Sequence, residues 1–440
     1  MNNRELQSRL LRAIPGGAHT YSRGFDQYPQ NAPAIMQSGA GGYSLGSDGH
    51  QYLDFVMALR SVNIGYAEPV ICDVAEKYSR QGNNLSRPSY VELEAAERLI
   101  DIINSVDMVK FAKNGSTAVT AAVKLARGYT GRDNVAVCAQ QPFFSYDDWF
   151  IGSTVISKGI PQSVQAQTFK FDYNDIESIT RLFTERGSEL ACLVMEAAAL
   201  EHPAENLEGQ AENYLQLVQR LCNQYGVVFI LDEMITGFRW DIKGAQHYYG
   251  ITPDLCTFGK AMANGYSVAA VAGRREIMEL GSIETADQER LFLLSSTHGA
   301  EMSSLGAFTA TLDFMHENPV IEHFWSTGSK IVNAFNRLSA KHGVSERFSA
   351  QGVDCSPYYT IVDEHGNNDM AMRTLFLQEM VKQRVLMPCI ALCYRHDEHA
   401  VNHLEASLDS ALEVCALAAN NGIEEYLQGP IVKPVFRKRN

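Results

Sequence analysis

The sequence predicts an α/β protein, a large doubly wound and mostly parallel sheet domain with a smaller α+β domain beside it. Three observations carry that prediction. Short runs such as Leu190–Met195 and Val227–Leu231 are apolar throughout, the mark of strands covered on both faces. Such runs alternate with stretches of helical spacing between about residues 70 and 310. The chain has 440 residues, room for up to three domains at about 150 residues each. The large domain is therefore placed at 71–310, with 1–70 and 311–440 expected to fold together as the small one.

Taken in order, Leu6, Leu10 and Leu11 put an amphipathic helix at 3–13, stopped by Pro15-Gly16-Gly17. Gly39 to Gly49 holds five glycines around Tyr43 and Leu45 and reads as a small hairpin region. Ser89 followed by Glu92 is a capping-box pattern, opening a helix through Ile103. Met108–Ala112 is then a strand, Ser116–Arg127 an Ala-rich helix closed by Gly128, and Val135–Cys138 a strand. Helical spacing at 176–184 leads into Leu190–Met195, and at 212–224 into Val227–Leu231. Leu255–Phe258 and Val268–Val271 complete the strands.

Composition narrows the function. The formal net charge is −14, which argues against nucleic acid or an anionic membrane as partner, because both select basic surfaces. Nine dispersed cysteines, odd in number and without a CxxC pair, do not make a disulfide scaffold and point to a reducing compartment. No apolar run approaches the length of a membrane span, and the first 17 residues lack the apolar core of a signal peptide. The expectation is a soluble cytoplasmic protein.

In a doubly wound sheet, ligands sit outside the carboxyl ends of the strands. Three segments lie there. Lys113-Asn114-Gly115-Ser116-Thr117 opens a helix whose first amides and hydroxyls suit an anion such as phosphate; plain turn and cap chemistry is the alternative. Asp232 closes the Val227 run, and a carboxylate leaving a buried strand is costly unless a positive group meets it. That group is either a protonated cofactor ring or a core arginine. Lys260, in Thr257-Phe258-Gly259-Lys260-Ala261, stands alone among small residues. Enclosed, its amine would act as nucleophile or base; otherwise its head reaches water. Phosphate, ring nitrogen and aldehyde are the three handles of pyridoxal 5′-phosphate, so one ligand accounts for all three segments.

The residues around these positions resemble the class III pyridoxal-phosphate aminotransferases, and within them the glutamate-1-semialdehyde 2,1-aminomutases. The specific stretches are Leu231-Asp232-Glu233-Met234-Ile235-Thr236-Gly237-Phe238-Arg239, Thr257-Phe258-Gly259-Lys260 running on to Gly273-Arg274-Arg275-Glu276-Ile277-Met278, and Lys113 to Arg132. The resemblance extends from Ile14-Pro15-Gly16-Gly17 to the C-terminal region. It implies the fold type I transferase architecture and a homodimer with shared active sites. It also implies Lys260 as the Schiff-base lysine, Asp232 as partner of the ring nitrogen, and Gly115 and Ser116 at the phosphate. Thr297, in Ser295-Ser296-Thr297-His298-Gly299, matches the threonine that reaches the neighbouring subunit's cofactor phosphate. Arg23, in Tyr21-Ser22-Arg23-Gly24-Phe25, matches an arginine near the substrate carboxylate.

The departures surround the substrate. Where the family has Tyr-His-Gly, this chain has Phe143-Phe144-Ser145, so Phe143 takes the ring-stacking place without a hydroxyl. Glu-Pro becomes Glu196-Ala197, and the aminomutase glutamate has no counterpart between Val385 and Tyr394. Arg60 follows an apolar stretch and is a candidate for a substrate carboxylate or phosphate, with a structural ion pair as the alternative. His396, His399 and His403 have metal-ligand spacing, but they also fit the charged opening of a surface helix, and no metal is expected. The resulting expectation is an aminotransferase, with an amino-acid donor and the aldehyde or ketone of a small polar, amino-acid-derived or sugar-like acceptor. Aminomutase-type transfer within one molecule is the alternative.

Overall fold

The computed structural model describes residues 3–198, 200–207, 211–284 and 286–439. Numbered along the chain, its strands are β1 (Met36–Ala40), β2 (Tyr43–Gly46), β3 (Gln51–Asp54), β4 (Met108–Ala112), β5 (Asn134–Cys138), β6 (Thr168–Phe171) and β7 (Leu190–Met195). They continue with β8 (Val228–Asp232), β9 (Leu255–Phe258), β10 (Ala269–Gly273), β11 (Phe348–Val353), β12 (Ser356–Ile361) and β13 (Val385–Leu386). Packing divides the chain into two compact units, Met1–Glu68 with Glu322–Arg437 and Pro69–Ile321 with Lys438–Asn440. The helix Met302–Glu317 runs unbroken through residue 310, so the expected boundary there falls inside a helix that belongs wholly to the larger unit.

The larger unit is built on one sheet of order β4-β10-β9-β8-β7-β5-β6. From β9 to β6 every pairing is parallel, while β10 runs antiparallel to both β9 and β4. β10 alone therefore opposes the rest, and the carboxyl ends of β4, β5, β7, β8 and β9 share one edge. Every residue of β7, β8, β9 and β10 is buried, as strands covered on both faces must be.

The helix Gly115–Thr130 covers one face, packing Ala118, Val119, Ala122 and Leu125 onto Val194, Ile230, Leu255 and Val271. It continues past Gly128 and ends at Gly131, which is left-handed at φ 67°. Gly128 is inside the helix because a Cβ there would meet Leu291 Cδ1 at 2.4 Å. That glycine serves close packing, and Gly131 is the stop. β6 has no counterpart among the sequence expectations. It is an edge strand paired only with β5, and its half-exposed Thr-Phe-Lys-Phe gives no apolar run to read.

In the smaller unit β1, β2 and β3 form an antiparallel meander, extended by β13 parallel to β3, with β11–β12 as a separate hairpin. The expected hairpin region at 39–49 is the β1–β2 turn and the start of the next. After β3 the chain makes an unusual turn: Met57, Ala58, Leu59 and Arg60 are all left-handed, with φ of 43°, 48°, 61° and 68°. Asp397 caps the long helix Glu398–Asn421 through the Ala400 amide. His396, just before that helix, is buried against Phe55, with its ring held near neutrality by burial, which pushes its pKa down to about 3. All nine cysteines are free thiols, and among the described residues no helix is long and apolar enough to cross a membrane.

Candidate active site

The shared carboxyl edge of the large sheet brings together the loops after β4, β8 and β9. Asp232 is the last residue of β8 and is 2% exposed. Its Oδ1 accepts hydrogen bonds from Met234 N at 2.9 Å and Thr257 Oγ1 at 3.2 Å. Thr257 is its register partner on β9, so the sheet itself aims the two side chains at each other. Burial pushes the Asp232 carboxyl up to about 6, opposed chiefly by the positive charge of Lys260. The adjacent Glu233 is equally buried but chemically spent. Its oxygens accept from Thr236 Oγ1 at 2.5 Å and from the amides of Ala245 and Gln246 at 3.0 Å each, opening the helix Ala245–Tyr249.

Lys260 follows β9 after a single glycine and adopts φ 38°, a conformation most non-glycine residues avoid. Three small or flexible buried residues, Ala261, Met262 and Ala263, complete its turn. On the β4 side, Asn114 caps the helix through Thr117 N at 2.9 Å. The amides of Gly115 and Ser116, in the first turn, have no acceptor within the helix and suit an anion. Ser116 Oγ accepts from Tyr146 N at 3.1 Å, which leaves its own proton to donate outward.

Met234 ties the three loops together. A Cβ on Gly115 would meet its Sδ at 2.8 Å, and one on Gly259 at 2.6 Å. The glycine that opens the helix and the one before Lys260 thus both leave room for one thioether wedged between them.

Behind this edge, the Gln141 amide bridges the loops after β5 and β7, donating to Glu196 O at 2.9 Å and accepting from Glu196 N at 2.8 Å. On the β5 loop, Phe143 is 44% exposed, edge-on to Phe150 at 6.1 Å, whereas its neighbour Phe144 is buried in the core. Thr297 is exposed, and its carbonyl accepts from Asn84 Nδ2 at 2.9 Å.

The structure therefore gathers Gly115, Ser116, Asp232 and Lys260 on one sheet edge, with Phe143 and Thr297 in the same unit. Arg23 and Arg60 belong to the other unit. Arg23 ends a short turn at Tyr21–Arg23 and lines a cavity of about 1160 Å³ with Tyr28, Asp54 and Tyr66. Arg60 ends the left-handed turn, with Nη2 3.5 Å from Ile390 O. Sequence reasoning missed Met234, Thr257 and the clasp of Tyr146 on Ser116. Met234 and Thr257 lay inside quoted motifs, but only the register shows that they face the acid and the glycines.

These residues fit pyridoxal phosphate. A buried acid raised by desolvation is relieved by a protonated ring nitrogen, unpaired helix amides and an outward hydroxyl suit a phosphate, and an amine lies within electrostatic reach of the acid.

The comparisons with known proteins agree. The family model for class-III aminotransferases matches residues 25–356. The chain is 30% identical to 3-aminobutyryl-CoA aminotransferase of Cloacimonas acidaminovorans (strain Evry), over 91% of this chain and 94% of that one. It is 31% identical to glutamate-1-semialdehyde 2,1-aminomutase of Alkaliphilus oremlandii (strain OhILAs), over 77% and 80%. Among solved structures, the FumI protein of Sphingopyxis sp. MTA144 superposes with a TM-score of 0.83 at 22% identity, covering 95% and 97%. The glutamate-1-semialdehyde aminomutase of Pseudomonas aeruginosa PAO1 gives 0.80 at 18%, covering 94% of each chain. Its sequence and its sheet thus place this chain in the class-III aminotransferases, fold type I enzymes that work with pyridoxal 5′-phosphate.

Proposed function

We propose that the enzyme takes an amino group from an amino-acid donor and gives it to the aldehyde or ketone of a small polar substrate, with Lys260 and Asp232 as its catalytic pair. The observation that carries the reading is the environment of Asp232: fully desolvated, raised to about 6, and relieved most by the charge of Lys260. When bound, the cofactor supplies an aldehyde and an electron-accepting ring. Asp232 holds a proton on the ring nitrogen by offering it an ionised oxygen. Gly115 and Ser116 seat the phosphate through amides and the Ser116 hydroxyl, and Phe143 covers a ring face. Lys260 would hold the cofactor's aldehyde, and its Nζ is the group that would move a proton between the substrate's amine-bearing carbon and the cofactor's carbon.

Arg23 and Arg60 are proposed for the substrate's anionic group. The relative named for 3-aminobutyryl-CoA acts on an amine at carbon 3 of an acyl chain. Acceptors whose carbonyl is not next to a carboxylate therefore belong in the first panel, beside amino-acid semialdehydes and keto sugars. A homodimer in which Thr297 reaches the partner's phosphate is part of the reading. It is supported by large exposed apolar side chains on the same unit, Ile283 at 82% and Phe292 at 64%. Nine free thiols support a cytoplasmic location.

The test is a donor offered without an acceptor. One equivalent of 2-oxo acid per active site, and no more until a carbonyl substrate is added, is the expected result. A second reading, intramolecular transfer, is favoured by relatives named as aminomutases at 31% and 28% identity. Against it, the Val385–Tyr394 stretch carries no carboxylate. Sustained turnover of glutamate-1-semialdehyde alone would establish the second reading, and a stall after one half-reaction the first.

A further inference from the structure

We infer that Lys113 and Glu301 form a positioning strut that sets the phosphate seat at Gly115 and Ser116 against the segment bearing Thr297. The inference rests on the proposed cofactor seat and deepens it by naming residues that touch neither cofactor nor substrate.

Lys113 immediately precedes the Asn114 cap. Its Nζ lies 2.8 Å from Glu301 Oε2 and donates to Ser304 Oγ at 3.0 Å. Its carbonyl is held as well, accepting from Ser267 Oγ at 2.6 Å. Both ends of the residue are thus fixed to other segments before the seat begins. The ion pair is largely shielded, with side-chain exposures of 20% and 24%. At that burial a charged hydrogen bond counts for more than a surface pair does.

Glu301 makes the case independently. It occupies the cap position of the buried helix Met302–Glu317, where a short Ser, Thr, Asp or Asn side chain would ordinarily accept from the first amides. Here it makes no capping bond. Asn83 does that work from another segment, accepting from Met302 N through its carbonyl at 2.7 Å and from Ser303 N through Oδ1 at 3.0 Å. With the amides satisfied elsewhere, one Glu301 oxygen meets Lys113 and the other meets His298 Nδ1 at 3.1 Å. Asn84 then pins the Thr297 carbonyl. The stretch 297–301 is consequently tied to the start of the phosphate helix by one shielded ion pair.

A strut of this kind acts on the phosphate and not on the ring. The experiment strips the holoenzyme of cofactor and titrates it with pyridoxal 5′-phosphate and, separately, with pyridoxal, which lacks the phosphate. Lys113→Met is expected to weaken the phosphorylated cofactor about tenfold (about 1.4 kcal/mol). Binding of pyridoxal should change less than about twofold, which is under 0.5 kcal/mol. Lys113→Arg should recover most of the loss, and Glu301→Gln should give a smaller loss with the same selectivity. Melting of each stripped variant checks folding. If Lys113→Met does not fold, Glu301→Gln and the charge-swapped pair K113E/E301K decide instead. Equal weakening of both ligands, or of neither, overturns the strut. Ser116→Ala separates the two failures. If it too shows no phosphate-selective loss, the phosphate seat itself is misplaced; if it does while the Lys113 and Glu301 variants do not, only the strut is wrong.

Discussion

Asp54 and Asp232 are the same device in two regions of the molecule. Each is the last residue of its strand, each is buried, and each turns Oδ1 back onto the amide two residues on, Val56 N at 2.8 Å and Met234 N at 2.9 Å. Burial raises both carboxyls. They differ in what faces them. Asp54 also accepts from Met57 N at 3.2 Å and from the Tyr66 hydroxyl at 3.1 Å, and that hydroxyl in turn accepts from Ala58 N at 2.9 Å. Although it lines the same cavity as Arg23, these hydrogen bonds all come from neutral groups and hold a strained turn. Asp232 faces an ammonium group on a glycine-flanked turn. A strand-end carboxylate becomes an instrument of chemistry where its remaining valence is met by a movable cation, and a structural pin where neutral hydrogen bonds consume it.

Removing the cation tests the contrast most severely. Lys260→Ala should lower kcat by at least about a thousandfold, the scale of losing a positioned proton carrier. Steady-state assays with the best donor and acceptor measure it, and a variant within tenfold of wild type would remove Lys260 from the mechanism. Exchanging the acids comes next. Asp232→Asn should cost about a hundredfold in kcat while the protein still folds, because an amide keeps the Met234 contact but cannot hold the ring proton. Asp54→Asn should instead show chiefly as lost stability, of about 1–3 kcal/mol. Were the two variants to behave alike in both assays, the distinction drawn between the sites would fail.

pH gives a smaller effect with a definite sign. In the folded protein without cofactor Asp232 titrates near 6, above its unfolded value of about 3.9. The proton it retains favours the fold fully below about pH 4, and that contribution is lost as pH rises through about 6. A bound ring that keeps its own proton offers the ionised acid a partner and cancels the loss. The rise in melting temperature on adding cofactor should therefore be larger at pH 7.5 than at pH 5, and Asp232→Asn should flatten that dependence. The same pH dependence in Asp232→Asn as in wild type would remove Asp232 from the linkage.

How much of this the sequence disclosed follows from the kind of signal each part leaves. β7 is apolar from end to end and β9 at every position but Thr257, and their bounds match the expected ones. Asp232 and Lys260 were legible because a charge closing an apolar run is conspicuous. The Lys113–Glu301 strut was not, since it joins residues 188 positions apart and each looks like an ordinary surface charge. Gly128 misled for a related reason: a glycine packed closely against the distant Leu291 reads locally as a helix stop. Local chemistry is written in the sequence; the partner across the fold is not.

The left-handed turn is the least legible feature, and it yields the last and smallest prediction. Nothing in Met57-Ala58-Leu59-Arg60 announces four successive positive φ angles, which cost an L-residue about 1–2 kcal/mol each. The turn persists because Asp54 takes the amide of Met57 and that of Val56 just before it, and Tyr66 takes that of Ala58. Ala58, at φ 48° and ψ 46°, presents only a methyl group, so Ala58→Gly removes strain with little lost packing. The greater freedom of glycine in the unfolded chain returns about 0.5–1 kcal/mol of that gain. A net stabilisation of up to about 1 kcal/mol should remain, read as a higher denaturant midpoint at unchanged slope. Tyr66→Phe should move the midpoint the other way, since it leaves both the Asp54 oxygen and the Ala58 amide short of a partner. If Ala58→Gly destabilises as an ordinary helix-to-glycine change would, the turn is not left-handed in solution, and Asp54 loses its assigned role as the pin that holds it.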